Sequence, residues 1–452
     1  MIWLVLLVPI IAAVLAPFAR GKAGILAFLA LLFSFLFILP MYPAKALTES
    51  APWVPQFGLS ISFRVDWLSY PLTLLIALVS ALAALYSMDY MKDREDQPLY
   101  YACLLLFAAG MMGVTLSSDM ILFYLFWEVM VLSSFFLISE WGNQDAKQAS
   151  VKYFIYMRAS ALALLFGILW VHAATGSFEL SPGLAGLTLL GFLPFLLAFC
   201  IKLAIFPFHN WLPDAYSAAP APVSAMLGGL MVNMGAYGLL RFSGMFAGIG
   251  TLSVYIALFA VITILYGAFM ALRQDSLKRL WAWSSVSQTG YLLFGFAALG
   301  GIGLTGTALQ MITHGATKAL LFLVAGAVVY AAGTDEISKL GSLGGRMPKV
   351  AVLAFIGGLS LAGIPLFAVF QSEWMIFAGG LQFPALDALA MLAALLTLAY
   401  VLLNLQKVFM KVNETMENAK LKEVPWKMML AMAVLAIVVL LLGIYPSPIM
   451  LR

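Results

Sequence analysis

Stretches of about twenty apolar residues, separated by short polar turns, recur from one end of this 452-residue chain to the other. A helix rising 1.5 Å per residue needs roughly 20 such residues to cross a hydrocarbon layer about 30 Å thick, so the pattern predicts an all-α membrane protein. Composition points the same way. Apolar residues make up 64% of the chain and charged residues only 10%, against about a quarter charged in an ordinary soluble domain. The lipid bilayer is therefore the expected surroundings, and a nucleic-acid partner is not expected.

The apolar runs predict about fourteen transmembrane helices, at 2–19, 24–41, 66–89, 99–117, 119–139, 150–174, 185–208, 220–244, 250–271, 277–299, 303–331, 349–379, 385–410 and 426–446. Residues 1–452 then form a single polytopic membrane domain whose longest connections are 42–65 and 411–425. The first run begins at Met1 with no basic segment ahead of it, so it reads as a span and not as a cleaved signal. Cys103 and Cys200 lie in separate apolar stretches without metal-ligand spacing, which makes them small core residues. No phosphate-binding loop, dinucleotide fingerprint, haem motif or metal cluster is present in the sequence. Energy must then come from an ion gradient or from a partner.

Lys and Arg set the orientation. Connections after odd-numbered spans, counted with the first residues of the span that follows, hold sixteen of the 24 basic residues, from Arg20 and Lys22 through Lys147, Lys152, Lys278, Arg279 and Lys349 to Lys427. The opposite side holds Lys45, Arg64, Arg241 and Arg452. The odd connections should face the cytoplasm and both termini the outside of the cytoplasmic (inner) membrane. Four cations remain, Arg158, Lys202, Lys318 and Lys407, and all fall within predicted spans. Glu128, Glu373 and His314 are similarly placed. Burying such groups in hydrocarbon is costly, so each is a functional candidate by default.

A weak internal repeat adds to this. Leu203-Ala204-Ile205-Phe206-Pro207 in span 7 resembles Leu361-Ala362-Gly363-Ile364-Pro365 in span 12, and each proline should break a long helix. Spans 7 and 12 have opposite parity, so spans 4–8 (99–244) and 9–13 (250–410) would be inverted five-helix repeats. A chance match in low-complexity apolar sequence is the alternative; the charges beside both breaks favour the repeat.

Moving a proton across hydrocarbon needs groups that take and release it, close enough for water to connect them. Lys202, Glu128, His314, Lys318 and Glu373 have that chemistry. In general a desolvated lysine gives up its proton more readily and a nearby carboxylate restores it, so Glu128 and Lys202 are read as a switchable pair, or alternatively as a static salt bridge joining spans 5 and 7. His314 and Lys318 are four residues apart, about 6 Å along one helix face, and could be adjacent stations or, for the histidine, a packed and hydrogen-bonded residue. The break after Lys202 should expose carbonyls that admit water, with His209 and Asp214 organising the turn. Arg158 cannot relay protons by titrating; it either fixes a carboxylate or snorkels to the cytoplasmic face. Lys407 is open to the same two kinds of reading, channel or snorkel.

These residues carry a resemblance. Phe126-Trp127-Glu128-Val129-Met130, the run from Lys202 through Pro207 and His209 to Ala215, Ala218-Ala219-Pro220-Ala221-Pro222-Val223-Ser224-Ala225, Asp275 through Leu280 with Trp283-Ser284-Ser285, and His314 through Leu323 are similar to the antiporter-like membrane subunits of respiratory complex I, Mrp sodium/proton antiporters and membrane-bound energy-converting hydrogenases. The resemblance spans nearly the whole chain. It implies that Glu128 is the span 5 carboxylate and Lys202 its partner, that His314 and Lys318 lie on a central polar axis, and that Glu373 is the distal exit residue, as in the M-type subunit of complex I. Asn233 stands where many relatives carry a lysine, and Arg158 where a neutral residue is usual. The chain stops soon after span 14, without the lateral helix of the largest complex I antiporter-like subunit, so an internal subunit is implied.

The function so implied is a proton- or sodium-translocating subunit of a redox-driven complex, with further antiporter-like or Mrp-like subunits and a peripheral redox arm as partners. No cofactor or redox chemistry is expected in this chain; Fe-S, flavin or Ni-Fe centres belong to the partners. The alternatives are an Mrp-type or free-standing cation/proton antiporter, and a scaffold whose pathway is interrupted at Asn233.

Overall fold

The computed structural model describes residues 1–19, 21–42, 46–180 and 186–446. Arg20, Lys45 and Arg452, used above for orientation, lie outside the described residues. Helices occupy all the expected apolar stretches. Nine among the described residues are long and apolar enough to cross a membrane, the longest being Ala146–Thr175 and Gly301–Ala332. Four shorter apolar helices are Trp3–Phe18, Ala23–Ile38, Leu189–Lys202 and Pro348–Leu361.

The helices sort by depth. Ser69–Tyr90, Gln97–Leu116, Ala221–Ser243 and Gly301–Ala332 are buried on nearly all sides, whereas Ala146–Thr175, Pro384–Met410 and Trp426–Ile444 turn large apolar side chains outward. A helix apolar all round suits either place, but a polar one has no choice. Leu277–Ala297 carries Ser284, Ser285, Ser287, Gln288 and Thr289, all fully buried, and it sits in the middle of the bundle against Ser253–Leu272 and Gly301–Ala332.

Both expected breaks are present. Span 7, expected at 185–208, is Leu189–Lys202 followed by non-helical residues that include Pro207, and it resumes beyond its expected end as a second piece, Trp211–Ala218; span 12 is Pro348–Leu361 and Ala368–Gly380, with Pro365 between. Ala204 and Leu366 in these breaks adopt left-handed backbone, which non-glycine residues rarely do. Two other spans contain a wide π turn, Leu227–Met231 and Gln406–Met410.

Among the described residues the all-α expectation fails at one place. The connection 42–65 carries an antiparallel hairpin, β1 Leu47–Val54 and β2 Leu59–Val65, turned at Pro55–Gly58. β2 alternates Leu59, Ile61, Phe63 and Val65, and Phe63 and Val65 are buried against the helix ends. Arg241 closes the same end of the bundle: its guanidinium donates two 2.6 Å bonds to the Asp66 carboxylate, tying the start of Ser69–Tyr90 to the end of Asn233–Ser243.

Candidate functional site

The first group of intramembrane charges lies where Met120–Ser139, Ala146–Thr175 and Leu189–Lys202 meet. Asp119 caps the first of these helices, accepting from the amides of Ile121 (2.9 Å) and Leu122 (3.0 Å). Glu128, two turns in, accepts a hydrogen bond on Oε2 from Arg158. Its Oε1 and the Arg158 Nε are buried without a protein partner. Lys202 ends its helix fully buried, with Nζ 3.5 Å from the Met157 sulfur and 5.0 Å from the centre of the Trp127 ring. Met157 and Trp127 immediately precede Arg158 and Glu128, so the ammonium and the ion pair occupy neighbouring faces. In this arrangement Glu128 is bonded to Arg158 and not to Lys202.

Asn233 lies between this group and the next. Gly229 and Gly315 let their helices touch: a Cβ on Gly229 would fall 2.6 Å from the Gly315 carbonyl oxygen, and one on Gly315 would fall 2.5 Å from that of Gly229. The crossing brings Asn233 Nδ2 to the carbonyls of Gly229 (2.8 Å) and Met311 (2.9 Å). Asn233 Oδ1 is buried with no protein partner, and so are both ring nitrogens of His314.

The second group is wired differently. Lys318 Nζ donates to the Trp281 carbonyl (2.7 Å) and to Ser284 Oγ. On the same helix Gln310, His314 and Lys318 follow at four-residue steps and share a face. Thr313 shares a 2.8 Å bond with Ser372, Ser372 donates to Gln310 Oε1, Gln310 Nε2 donates to Gln288 Oε1 (2.7 Å), and Gln288 Nε2 donates to Glu373 Oε1 (3.1 Å). This is an unbroken side-chain chain from beside His314 to Glu373. The Glu373 carboxylate rests on the span 12 break, where a Cβ on Gly363 would fall 2.5 Å from Oε2.

Three expected positions lie off this line. His209 is buried among Phe206, Tyr266 and Trp283 with neither ring nitrogen bonded. Asp214 anchors the second piece of span 7 by accepting from Lys152 (2.8 Å) and Arg279 (2.9 Å). Lys407 is exposed, lining a surface cleft with Asp275, Lys411 and Asn413. Among the described residues no three His, Cys, Asp or Glu side chains converge as a metal site. Gln288, Gln310 and Ser372 are not singled out by the sequence reading, and Ser284 enters it only as part of the Trp283-Ser284-Ser285 motif. Their signal was available: four-residue spacing from His314 marks Gln310, and the run Ser284–Thr289 is conspicuously polar for a buried helix.

Residues 117–399 match the membrane family described as NADH:quinone oxidoreductase/Mrp antiporter, and residues 53–101 match the N-terminus of chain 5 of complex I. F(420)H(2) dehydrogenase subunit M of Methanosarcina mazei is 33% identical over 99% of this chain and 95% of its own length. NADH-quinone oxidoreductase subunit M of Escherichia coli K12 is 33% identical over 88% of this chain and 82% of its own length. A chain of respiratory complex I from Thermus thermophilus superposes with a TM-score of 0.91, at 26% identity, over all of this chain and 97% of that one. With more than half its length matched by the family and relatives aligned nearly end to end, this chain belongs to the NADH:quinone oxidoreductase/Mrp antiporter membrane-subunit family.

Proposed function

We propose that this chain is an ion-translocating, antiporter-like subunit of a multi-subunit, redox-driven membrane complex, and that Glu128, Lys202, His314, Lys318 and Glu373 carry a proton or sodium ion along its middle. The observation that carries the reading is one line of buried polar groups through otherwise apolar helices: Lys202, Asn233, His314, Lys318 and the amide chain to Glu373. Packing alone does not call for such a line, since each member would be cheaper as leucine. Lys202 and Lys318 are the proton-exchanging stations, His314 joins them through water at its unbonded nitrogens, and Glu373 receives the ion at the second break. Arg158 holds the Glu128 carboxylate and Asn233 offers an acceptor without titrating.

The finer architecture belongs to the same proposal. The chain crosses the cytoplasmic membrane fourteen times, with the basic connections inside and both termini outside. Residues 99–244 and 250–410 are inverted repeats. Supporting this, Asp119 to Ser276, Gly176 to Gly333 and Glu179 to Glu336 are each a step of 157 residues. The members of the first pair each start a span, those of the second each cap the longest helix of their half, and those of the third bridge back to the first. Breaks recur in spans 7 and 12 and π turns in spans 8 and 13, in matching order. The redox centres reside in partner subunits.

Lys202→Arg tests the reading. Arginine keeps the charge but does not deprotonate in proteins, so the complex should assemble while donor-driven ion uptake into sealed vesicles falls about a hundredfold. Near-normal coupled uptake per assembled complex would exclude titration of this lysine as a required step. An Mrp-type or free-standing antiporter would instead move ions without a redox partner, which purification with or without bound iron, nickel or flavin distinguishes.

A further inference from the structure

Beyond Glu373 a second carboxylate is buried on the side away from the basic connections. Asp387 lies in the first turn of Pro384–Leu405, 2% exposed, with Oδ1 lacking any hydrogen-bond partner. It is pressed onto the end of Ala368–Gly380: a Cβ on Gly380 would fall 2.6 Å from Asp387 Oδ1 and 2.5 Å from Cε1 of Phe294.

That contact sits at the far end of a seam. Glu373, Phe377 and Gly380 follow along one face of Ala368–Gly380, facing Gln288, Tyr291 and Phe294 of Leu277–Ala297. The pairs meet in register: Gln288 bonds Glu373, the Tyr291 ring stands edge-on to Phe377 at 5.8 Å, and Phe294 bounds Gly380. The Tyr291 hydroxyl donates to the carbonyl of Ala390, one turn beyond Asp387, at 3.1 Å. Seven residues of helix, about 10 Å, separate Glu373 from Gly380. The seam therefore has a carboxylate at each end and an aromatic pair between them.

A structural role explains this poorly. The helix N-terminus favours a negative charge in its first turn, but it does not call for burial, and Oδ1 accepts no backbone amide as a capping group would. We propose that Asp387 is the outlet station: a proton leaves the carboxyl of Glu373, passes the Tyr291–Phe377 pair through water, is taken up by the Asp387 carboxylate and is released to water at the outer face. Each transfer restores one carboxylate as it protonates the other, so charge and protons balance. The assignment rests on the ion-translocating reading above and extends it to the exit.

The test uses the intact complex in sealed vesicles, comparing Asp387→Asn, Asp387→Glu and Glu373→Gln for assembly, redox turnover and ion uptake as the pH of the outer-face compartment is varied. Asp387→Asn should assemble and lose about tenfold or more of its uptake. Asp387→Glu should keep uptake and shift its dependence on outer-face pH, a readout that a packing role would not move. Uptake within about twofold of the parent in Asp387→Asn, alongside loss in Glu373→Gln, would overturn the outlet and leave the translocating role standing. Normal uptake in Glu373→Gln would overturn both. If Asp387→Asn does not assemble, Asp387→Glu decides: an unshifted outer-face pH dependence overturns the assignment.

Discussion

The two halves of the polar line handle buried charge in opposite ways. Around Lys202 the ammonium meets a sulfur and an indole face, and the nearest carboxylate is committed to Arg158. Around Lys318 the ammonium is bonded to a carbonyl and a hydroxyl, and on the same helix a separate chain of fixed donors and acceptors leads from Thr313 through Ser372, Gln310 and Gln288 to Glu373. The difference teaches where rearrangement must occur. A fully bonded network is rigid, whereas a lysine held only by soft contacts beside a helix break has alternatives close by. The Lys202 side is thus the movable element of the proposed pathway, and the Gln288–Gln310 side its fixed lead.

Breaking the fixed lead should show this most strongly. Gln310→Leu removes the bonds to Gln288 and Ser372 and leaves buried polar atoms on both. We expect assembled complex with uptake reduced about tenfold and a stability loss of roughly 1–3 kcal/mol, from vesicle assays and thermal unfolding of the purified complex. Uptake unchanged beside a clear stability loss would make the network scaffolding and erase the contrast between the halves.

On the movable side the corresponding change should matter less. Arg158 does not titrate, and with a third of its side chain exposed it contributes position more than energy. Arg158→Leu should therefore retain uptake within about threefold, with Glu128 freed to approach Lys202, whereas Glu128→Gln should be crippled. Equal loss in the two variants would mean that the Glu128–Arg158 pair is the working unit and Lys202 a bystander to it.

Much of this was legible in the sequence, and the omissions share a cause. Helices, both breaks and every titratable member of the line follow from hydropathy, proline and charge, because a charge or a Pro207 in an apolar run is unmistakable. Which carboxylate meets which cation is not so fixed. Glu128, Arg158 and Lys202 lie on three helices, and pairing depends on how each is rotated about its axis, which residue spacing within one helix does not set. Uncharged Gln288, Gln310 and Ser372 escape any count of charges, although in the bilayer an amide is also expensive to leave unpaired. The hairpin 47–65 was missed because its alternation is short and its first strand is interrupted by Pro52.

The smallest effect is expected at the joint between the halves. Asn233 replaces a titratable group with one that cannot carry a proton, yet its side chain is placed with care: Nδ2 is used twice and Oδ1 is left unpaired by protein atoms. If the transfer from Lys202 to His314 runs through water, the side chain's duty is to leave room and offer an acceptor. Asn233→Ala then gives that room to a further water, which the carbonyls of Gly229 and Met311 can hold, and uptake should stay within about twofold of the parent. Asn233→Leu, of similar size but unable to hold water, should reduce it far more at equal assembly. Measured in the same vesicles, equal loss in the Ala and Leu variants would assign the relay to the amide itself, and the link between the halves would then be fixed in the manner of the Gln288–Gln310 lead.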